Sequence, residues 1–395
     1  MPAKVVDVEV AGAWPAIDTG GYPEAFVLVR LYGRPVGTLR VRPTAGTVEP
    51  YRVRRAVEED PELASLLLEH LCLARLAGRP QRVPASAERS FTIVVCTRDR
   101  PVELGRCLES LAALRLANGE VLVVDNGSGG DAAQVAAGRW GFRCEREPLP
   151  GLNAARRSAL RHAAGEILLF VDDDAVVDAG WLDAMLEPFS EPLVGAVTGL
   201  ALPLELETEA QELFERYSSF SRGFRRRVFD MAEHPPAAAG QAGAGVSMAI
   251  RRDLLSRLRL FAPELDAGTD ARSGGDHYAL SRVLAAGYRI VYQPEALVWH
   301  LHRRDYEAMK RTVAGYSTGV YVVLTRLLLH HRDLQAAKVG WEWFRTHHLH
   351  ELRRSLTRAP GAAPVDLVLA EIRAAFGAPA AYLRTRRAER ARGDR

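Results

Sequence analysis

The stretch Ile167-Leu168-Leu169-Phe170-Val171-Asp172-Asp173-Asp174 constrains the fold of this 395-residue chain more than any other. Five consecutive apolar residues without polar alternation predict a short strand buried on both faces, as inside a parallel sheet. Three carboxylates follow at the strand's C-terminal end, which is where open α/β sheets bind ligands. Like charges side by side are costly to desolvate, so such a cluster needs a cation or water. Hard carboxylate oxygens suit Mg2+ or Mn2+, with substrate phosphates completing the shell. A solvated acidic turn is the alternative, and the place directly after a buried strand favours the metal.

The surrounding pattern agrees with an α/β sheet. From Ser90 onward, strands alternate with helices: Phe91 to Cys96, then a helix from Val102, then Val121 to Asp125 and a helix from Asp131. A short strand over 141–146, a helix over 153–164 and a strand over 194–198 continue the alternation. The stretch 206–231 reads as helical in its first half, and 235–245, rich in Pro, Ala and Gly, as mobile. A helix over 276–286 and two strands, 288–292 and 297–299, close the unit.

Residues 1–88 read as a separate α+β unit. It holds a hairpin over 26–41 and a helix over 61–76, with Asp60 as N-cap and Pro61 at its first position. Residues 78–89 read as its linker. After about Asp305 the pattern is helical, with breaks expected near Pro360 and Pro379. The domains expected are thus 1–88, 89–305 and 306–395.

An apolar share of 48% and a charged share of 26% are ordinary for a globular protein. Net charge is +3, but residues 303–395 carry 18 Lys and Arg against 9 Asp and Glu. The four cysteines lack metal-ligand spacing and suggest a reduced compartment. No signal peptide and no uninterrupted apolar run of about 18 residues is evident, so a cytoplasmic protein is expected. Residues 316–329 are compatible with an interfacial helix at the inner face of a membrane, or with a helix packed on the α/β unit or a second subunit.

The turn Gly127-Ser128-Gly129-Gly130 fails the dinucleotide fingerprint, being G-x-G-G with no ribose-binding acid at the expected distance, and no P-loop is present. Asp125 before it reads by itself as a turn residue with an Asx hydrogen bond.

Together the motifs resemble the family 2 glycosyltransferases. They are Val94-Val95-Cys96-Thr97-Arg98-Asp99-Arg100-Pro101, Val123-Val124-Asp125-Asn126-Gly127-Ser128, Gly151-Leu152-Asn153-Ala154-Ala155-Arg156, Phe170 to Asp174, Ser273-Gly274-Gly275-Asp276 and Val298-Trp299-His300. The resemblance, covering about 91–304, implies an inverting enzyme of the GT-A fold: a doubly wound mixed sheet, here with a small N-terminal α+β domain and a helical C-terminal region. It implies a nucleoside-diphosphate-sugar donor, Mg2+ or Mn2+, and a glycan, lipid-linked or small-molecule acceptor, without nucleic acid. Peripheral membrane contact and a homo-oligomer stay open.

The resemblance also implies roles. Thr97, Arg98 and Asp99 match the first nucleotide-binding turn, Asp125 the acid that bonds the base, and Arg156 an arginine near the nucleotide. Asp172 matches the D-x-D aspartate near the ribose and Asp174 the one on the metal, with Asp173 supporting them or sharing in donor-sugar binding. His300 matches a histidine that completes the metal shell, with His302 as its competitor. Gly245 lies in a loop beneath donor sugar and acceptor. Asp276 matches the base that deprotonates the acceptor hydroxyl, and its other reading is a helix N-cap. Gly275 stands where family members usually carry glutamate. A nucleotidyltransferase of similar build and a non-catalytic nucleotide-sugar-binding scaffold are the competing functions. The first would want a glycine-rich basic loop after the first strand, and the second would more naturally have lost Asp276 or an acid of the triplet.

Overall fold

The computed structural model of the chain describes residues 1–77, 85 and 88–393, so most of the expected linker lies outside the described residues. Five strands come first: β1 (Lys4–Glu9), β2 (Ile17–Asp18), β3 (Ala25–Leu31), β4 (Arg34–Val41) and β5 (Thr47–Val48). Strand β3 pairs with both β1 and β4. Helices α1 (Pro50–Glu59) and α2 (Pro61–Ala77) follow, and the Asp60 carboxylate accepts from the N–H groups of Glu62 and Leu63, as its capping position predicted.

The main sheet is built from β6 (Phe91–Thr97), β7 (Gly119–Asp125), β8 (Arg143–Arg146), β9 (Ile167–Asp172), β10 (Ala175–Val177), β11 (Val194–Pro203), β12 (Arg227–Phe229), β13 (Ser247–Arg251) and β14 (Arg289–His300). Its order is β10-β14-β11-β13-β9-β6-β7-β8, with β12 also on β14. The half β8-β7-β6-β9 is parallel, and antiparallel β13 then joins it to the parallel pair β11 and β14. The sheet is flanked by α3 (Pro101–Ala112), α4 (Ala132–Gly138), α5 (Leu152–His162), α6 (Trp181–Leu186), α7 (Glu209–Ser218), α8 (Arg252–Arg257) and α9 (Gly275–Ala285).

Strand β9 shows why its sequence lacks alternation. Leu168 and Phe170 enter one core, with Ala155 and Ala159 of α5, while Ile167, Leu169 and Val171 enter the other, with Leu104 and Leu108 of α3. Each fully buried side chain of this kind contributes on the order of 1.5–3 kcal/mol.

Two expectations about this unit change. The two strands expected over 288–299 are one twelve-residue strand, β14, because parallel pairing with β11 runs its whole length across an irregularity beside Gly199. The segment expected to be mobile contains an ordered 3-10 turn, Pro236–Ala242, since Ala237 and Ala239 are buried and the Ala237 carbonyl bonds the His277 ring.

The last helices are α10 (Tyr306–His331), α11 (Gln335–Trp343), α12 (His350–Leu356) and α13 (Val365–Gly393). Helix α10 is long and apolar enough to cross a membrane by length and composition, but 61% of its most apolar window is buried within the molecule. Its Val322, Val323 and Leu327 pack on Tyr278 of α9 and on Ala378 and Tyr382 of α13. This burial favours the packed reading of 316–329. The break expected at Pro379 does not occur. Proline removes one helical hydrogen bond, and the buried row Ala375, Ala378, Ala381 and Tyr382 against α10 offsets that loss.

Candidate active site

The acidic triplet spans the turn from β9 into β10. Strand β10 pairs with the far end of β14, placing Ala175 opposite His300, and the Leu301 N–H donates to the Asp174 carbonyl at 2.9 Å. Segments 126 residues apart in sequence thereby meet, with His300 Nε2 3.2 Å from Asp174 Oδ1. One ligand atom each from Asp172, Asp174 and His300 lies within 4.8 Å of the others.

The charges are arranged asymmetrically. Burial and the Asp174 carboxylate push the Asp172 pKa up to about 7. Burial works against ionised Asp174 too, but His300 and Arg100 outweigh it and hold its pKa well below the usual range. Burial pulls His300 down, and Asp174 more than restores it, leaving its pKa above the ordinary value. Arg100 Nη1 donates to Asp173 Oδ1 at 3.0 Å and to Asp174 Oδ2 at 2.9 Å. Thr97 Oγ1 donates to Asp173 Oδ2 at 2.7 Å. Arg100 and Thr97 therefore brace the triplet through Asp173 and Asp174. Among the described residues no hydrogen bond or ion pair satisfies the Asp172 carboxylate. One half-buried carboxylate, one buried carboxylate and a buried imidazole make a donor set that fits Mg2+ or Mn2+.

A second wall carries Asp276. Helix α9 begins at Gly275 after Gly274, whose φ of 102° is the left-handed conformation glycine adopts without strain. Asp276 is thus within the first turn and is not the N-cap. Its Oδ2 accepts from the Gly245 N–H at 2.7 Å and its Oδ1 from the His277 N–H at 2.8 Å. Gly245 is required for that approach, because a Cβ there would stand 2.9 Å from Arg156 Nη2 and 3.2 Å from Asp276 Cβ.

Arg156, on α5, is buried and donates from Nη1 to Asp266 Oδ2 at 2.7 Å. Asp266 has a φ of 82° and is itself buried, and burial raises its pKa against the pull of Arg156. It occupies the space beside Gly275, where a Cβ would lie 2.1 Å from Asp266 Oδ2.

One cavity of about 1290 Å3 gathers Thr97, Arg98, Arg156, Asp172, Asp173, Asp174, Gly245, Asp276 and His300. Asp99 and Asp125 do not line it. The Asp99 carboxylate accepts from the Gly129 N–H at 3.2 Å, and Asp125 Oδ1 accepts from the Ser128 N–H at 3.1 Å, so both hold the turn after β7. His302 also lines the cavity but contacts His300 and Glu215 in place of the triplet: its Nδ1 lies 3.2 Å from His300 Nδ1 and its Nε2 3.0 Å from Glu215 Oε2, orienting the His300 ring.

Arg100, Asp266 and Glu215 were missed in the sequence. Arg100 had a signal, two positions beyond Arg98 in the same motif. Asp266 and Glu215 belong to no motif and reach the site only through folding.

Comparison with known proteins gives consistent findings. Residues 92–255 match the model of the family described as glycosyl transferase family 2. The pre-mycofactocin glycosyltransferase of Mycobacterium tuberculosis is 30% identical over 302 residues, covering 72% of this chain and 58% of its own length. An N-acetylglucosaminyltransferase of Rhizobium sp. (strain N33) is 27% identical over 224 residues, covering 52% and 46% respectively. The chain thus spans about half the length of these relatives. Among solved structures, a mannosyltransferase from Pyrobaculum calidifontis in complex with GDP-Man and Mn2+ aligns with a TM-score of 0.50 at 19% identity, over 79% of this chain and 94% of its own. That likeness concerns the fold.

Proposed function

Since the chain belongs to glycosyltransferase family 2 and has the GT-A fold, we propose that it transfers a sugar, with inversion, from a nucleoside-diphosphate donor to an acceptor hydroxyl. The observation that carries this reading is the shared cavity: Asp172, Asp174 and His300 open into the same space as Asp276. Its volume of about 1290 Å3 exceeds that of a pocket for one small ligand, about 300–1,000 Å3, and suits donor plus acceptor.

Asp172, Asp174 and His300 would hold the divalent cation, which supplies charge neutralisation for the departing diphosphate. Asp276, fixed by the Gly245 and His277 N–H groups, would take the proton of the acceptor hydroxyl. The new carbon–oxygen bond forms as the anomeric carbon–phosphate oxygen bond breaks, and its electron pair leaves with the nucleoside diphosphate. Thr97 and Arg100 keep the triplet in place, and buried Arg156 adds positive potential beside the donor.

The test is thermal stability against a panel of nucleoside diphosphates, each with and without Mn2+. A nucleotide at about 100 times its dissociation constant adds about 2.7 kcal/mol. The expected outcome is a shift for one nucleotide that requires Mn2+ and disappears in Asp174→Ala. No shift for any nucleotide would overturn the reading.

A further inference from the structure

The far end of the same cavity carries a second cluster of metal-competent side chains, 45 or more residues beyond the last member of the first in sequence. His347 and His348 lie on a π-helical turn, Phe344–Leu349, inserted between α11 and α12, and Glu371 comes from α13. Such turns, single-turn bulges within helical stretches, are frequent at functional sites. One ligand atom from each of the three lies within 4.8 Å of the others, and His347 Nε2 is 3.6 Å from Glu371 Oε1.

Two features set the cluster apart from an ordinary ion pair. His348 is 0% exposed, and neither of its ring nitrogens has a hydrogen-bond partner. A neutral imidazole has one donor and one acceptor, and leaving both unmade in the interior is penalised. The pair His347–Glu371 alone does not explain why His348 turns into this place. Glu371 is itself oriented: the Tyr217 hydroxyl donates to Oε2, leaving Oε1 towards the histidines. Aromatic rings close the surroundings, with Tyr321 stacked on His348 at 5.8 Å and Phe344 edge-on at 5.7 Å.

We propose that His347, His348 and Glu371 form a second metal site, suited to a transition-metal dication such as Zn2+, with an open position towards the cavity. Two imidazoles and a carboxylate are the donor set of three-ligand zinc sites that keep a fourth position for an outside oxygen. The bonds to zinc are about 2.0–2.2 Å long, so tetrahedral ligand atoms lie roughly 3.4 Å apart, and the cluster needs only a small contraction. His347 and Glu371 line the cavity, so the open position faces the region left for an acceptor. The site goes beyond the transferase reading and differs from the first in chemistry, being nitrogen-rich where the other is oxygen-rich.

The experiment uses the full chain carrying Asp174→Ala, which silences the first site, stripped with chelator and dialysed against Zn2+. We expect one bound Zn2+ per chain, a rise in Tm with Zn2+, and tetrahedral absorption bands when Co2+ replaces it. His348→Ala or Glu371→Gln in the same background should weaken binding at least tenfold. His347→Gln, at a partly exposed side chain, gives the same loss with the fold checked by circular dichroism. No bound Zn2+, or stoichiometry unchanged in all three variants, overturns the proposal. Because the readout is metal content, failure here leaves the nucleotide result untouched, and the reverse holds too.

Discussion

A Cβ at Gly275 would lie 2.1 Å from Asp266 Oδ2 and 2.7 Å from Asn153 Oδ1, so alanine there must displace the carboxylate that Arg156 holds. Overpacking of this kind costs about 1–3 kcal/mol. Gly275→Ala should therefore lower Tm by several degrees, and an unchanged melting curve would show that Asp266 moves freely. Asp266, from a loop more than a hundred residues after Arg156, fills the space beside Gly275. Asp276→Asn keeps an acceptor oxygen for a backbone N–H but removes the basic group. Transfer should fall by about 10²–10⁴-fold, the usual worth of a general base, while nucleotide affinity measured by calorimetry stays within about twofold. Retained turnover would exclude Asp276 as the base. Asp172, Asp174 and Asp276 were legible because each sits at the end of a patterned element. Arg100 was visible but had no assigned partner until the turn folded over it.

Helices α9 and α10 meet at His331, whose Nε2 lies 3.1 Å from the Tyr278 hydroxyl. Burial, followed by the positive charge of Arg282 and neighbouring His330, pulls its pKa down to about 4 from 6.5. The unfolded chain then binds a proton below about pH 6.5 that the folded chain refuses until about pH 4. Stability should accordingly fall as pH drops through that window and level off beneath it. His331→Gln should flatten this part of a Tm-against-pH profile; an identical slope in the variant would assign the acid sensitivity elsewhere. Elements of this kind were readable from periodicity and capping, as Asp60 and Pro61 show. Where neighbours decided, local signals misled: Pro379 lies inside α13, and the Pro- and Gly-rich segment before β13 is ordered against α9.

In the whole molecule strand β3, paired only within the N-terminal sheet, contributes side chains to two cores. Val27, Val29 and Leu31 face the core formed with α1 and α2, whereas Phe26 and Leu28 enter the main core with β7, β9 and α9. Arg30 ties the same strand to Asp178 at 2.6 Å, and Arg40 reaches Glu212 at 2.9 Å. Phe26→Ala should then cost about 3–5 kcal/mol. In denaturant unfolding the N-terminal and catalytic regions should shift together in one transition, and a shift confined to one region would deny the coupling. The run of apolar residues, the acids behind it and the order of strands and helices were enough to determine the sheet class, the location of the site and most of its carboxylates, because periodicity and local chemistry are written along the chain. Only tertiary structure decided that His300 closes on Asp174, that Asp266 fills the space beside Gly275, and that His347 and His348 meet Glu371. Those contacts join segments whose separation carries no local signal, and they form only when strand pairing and core packing bring the segments together.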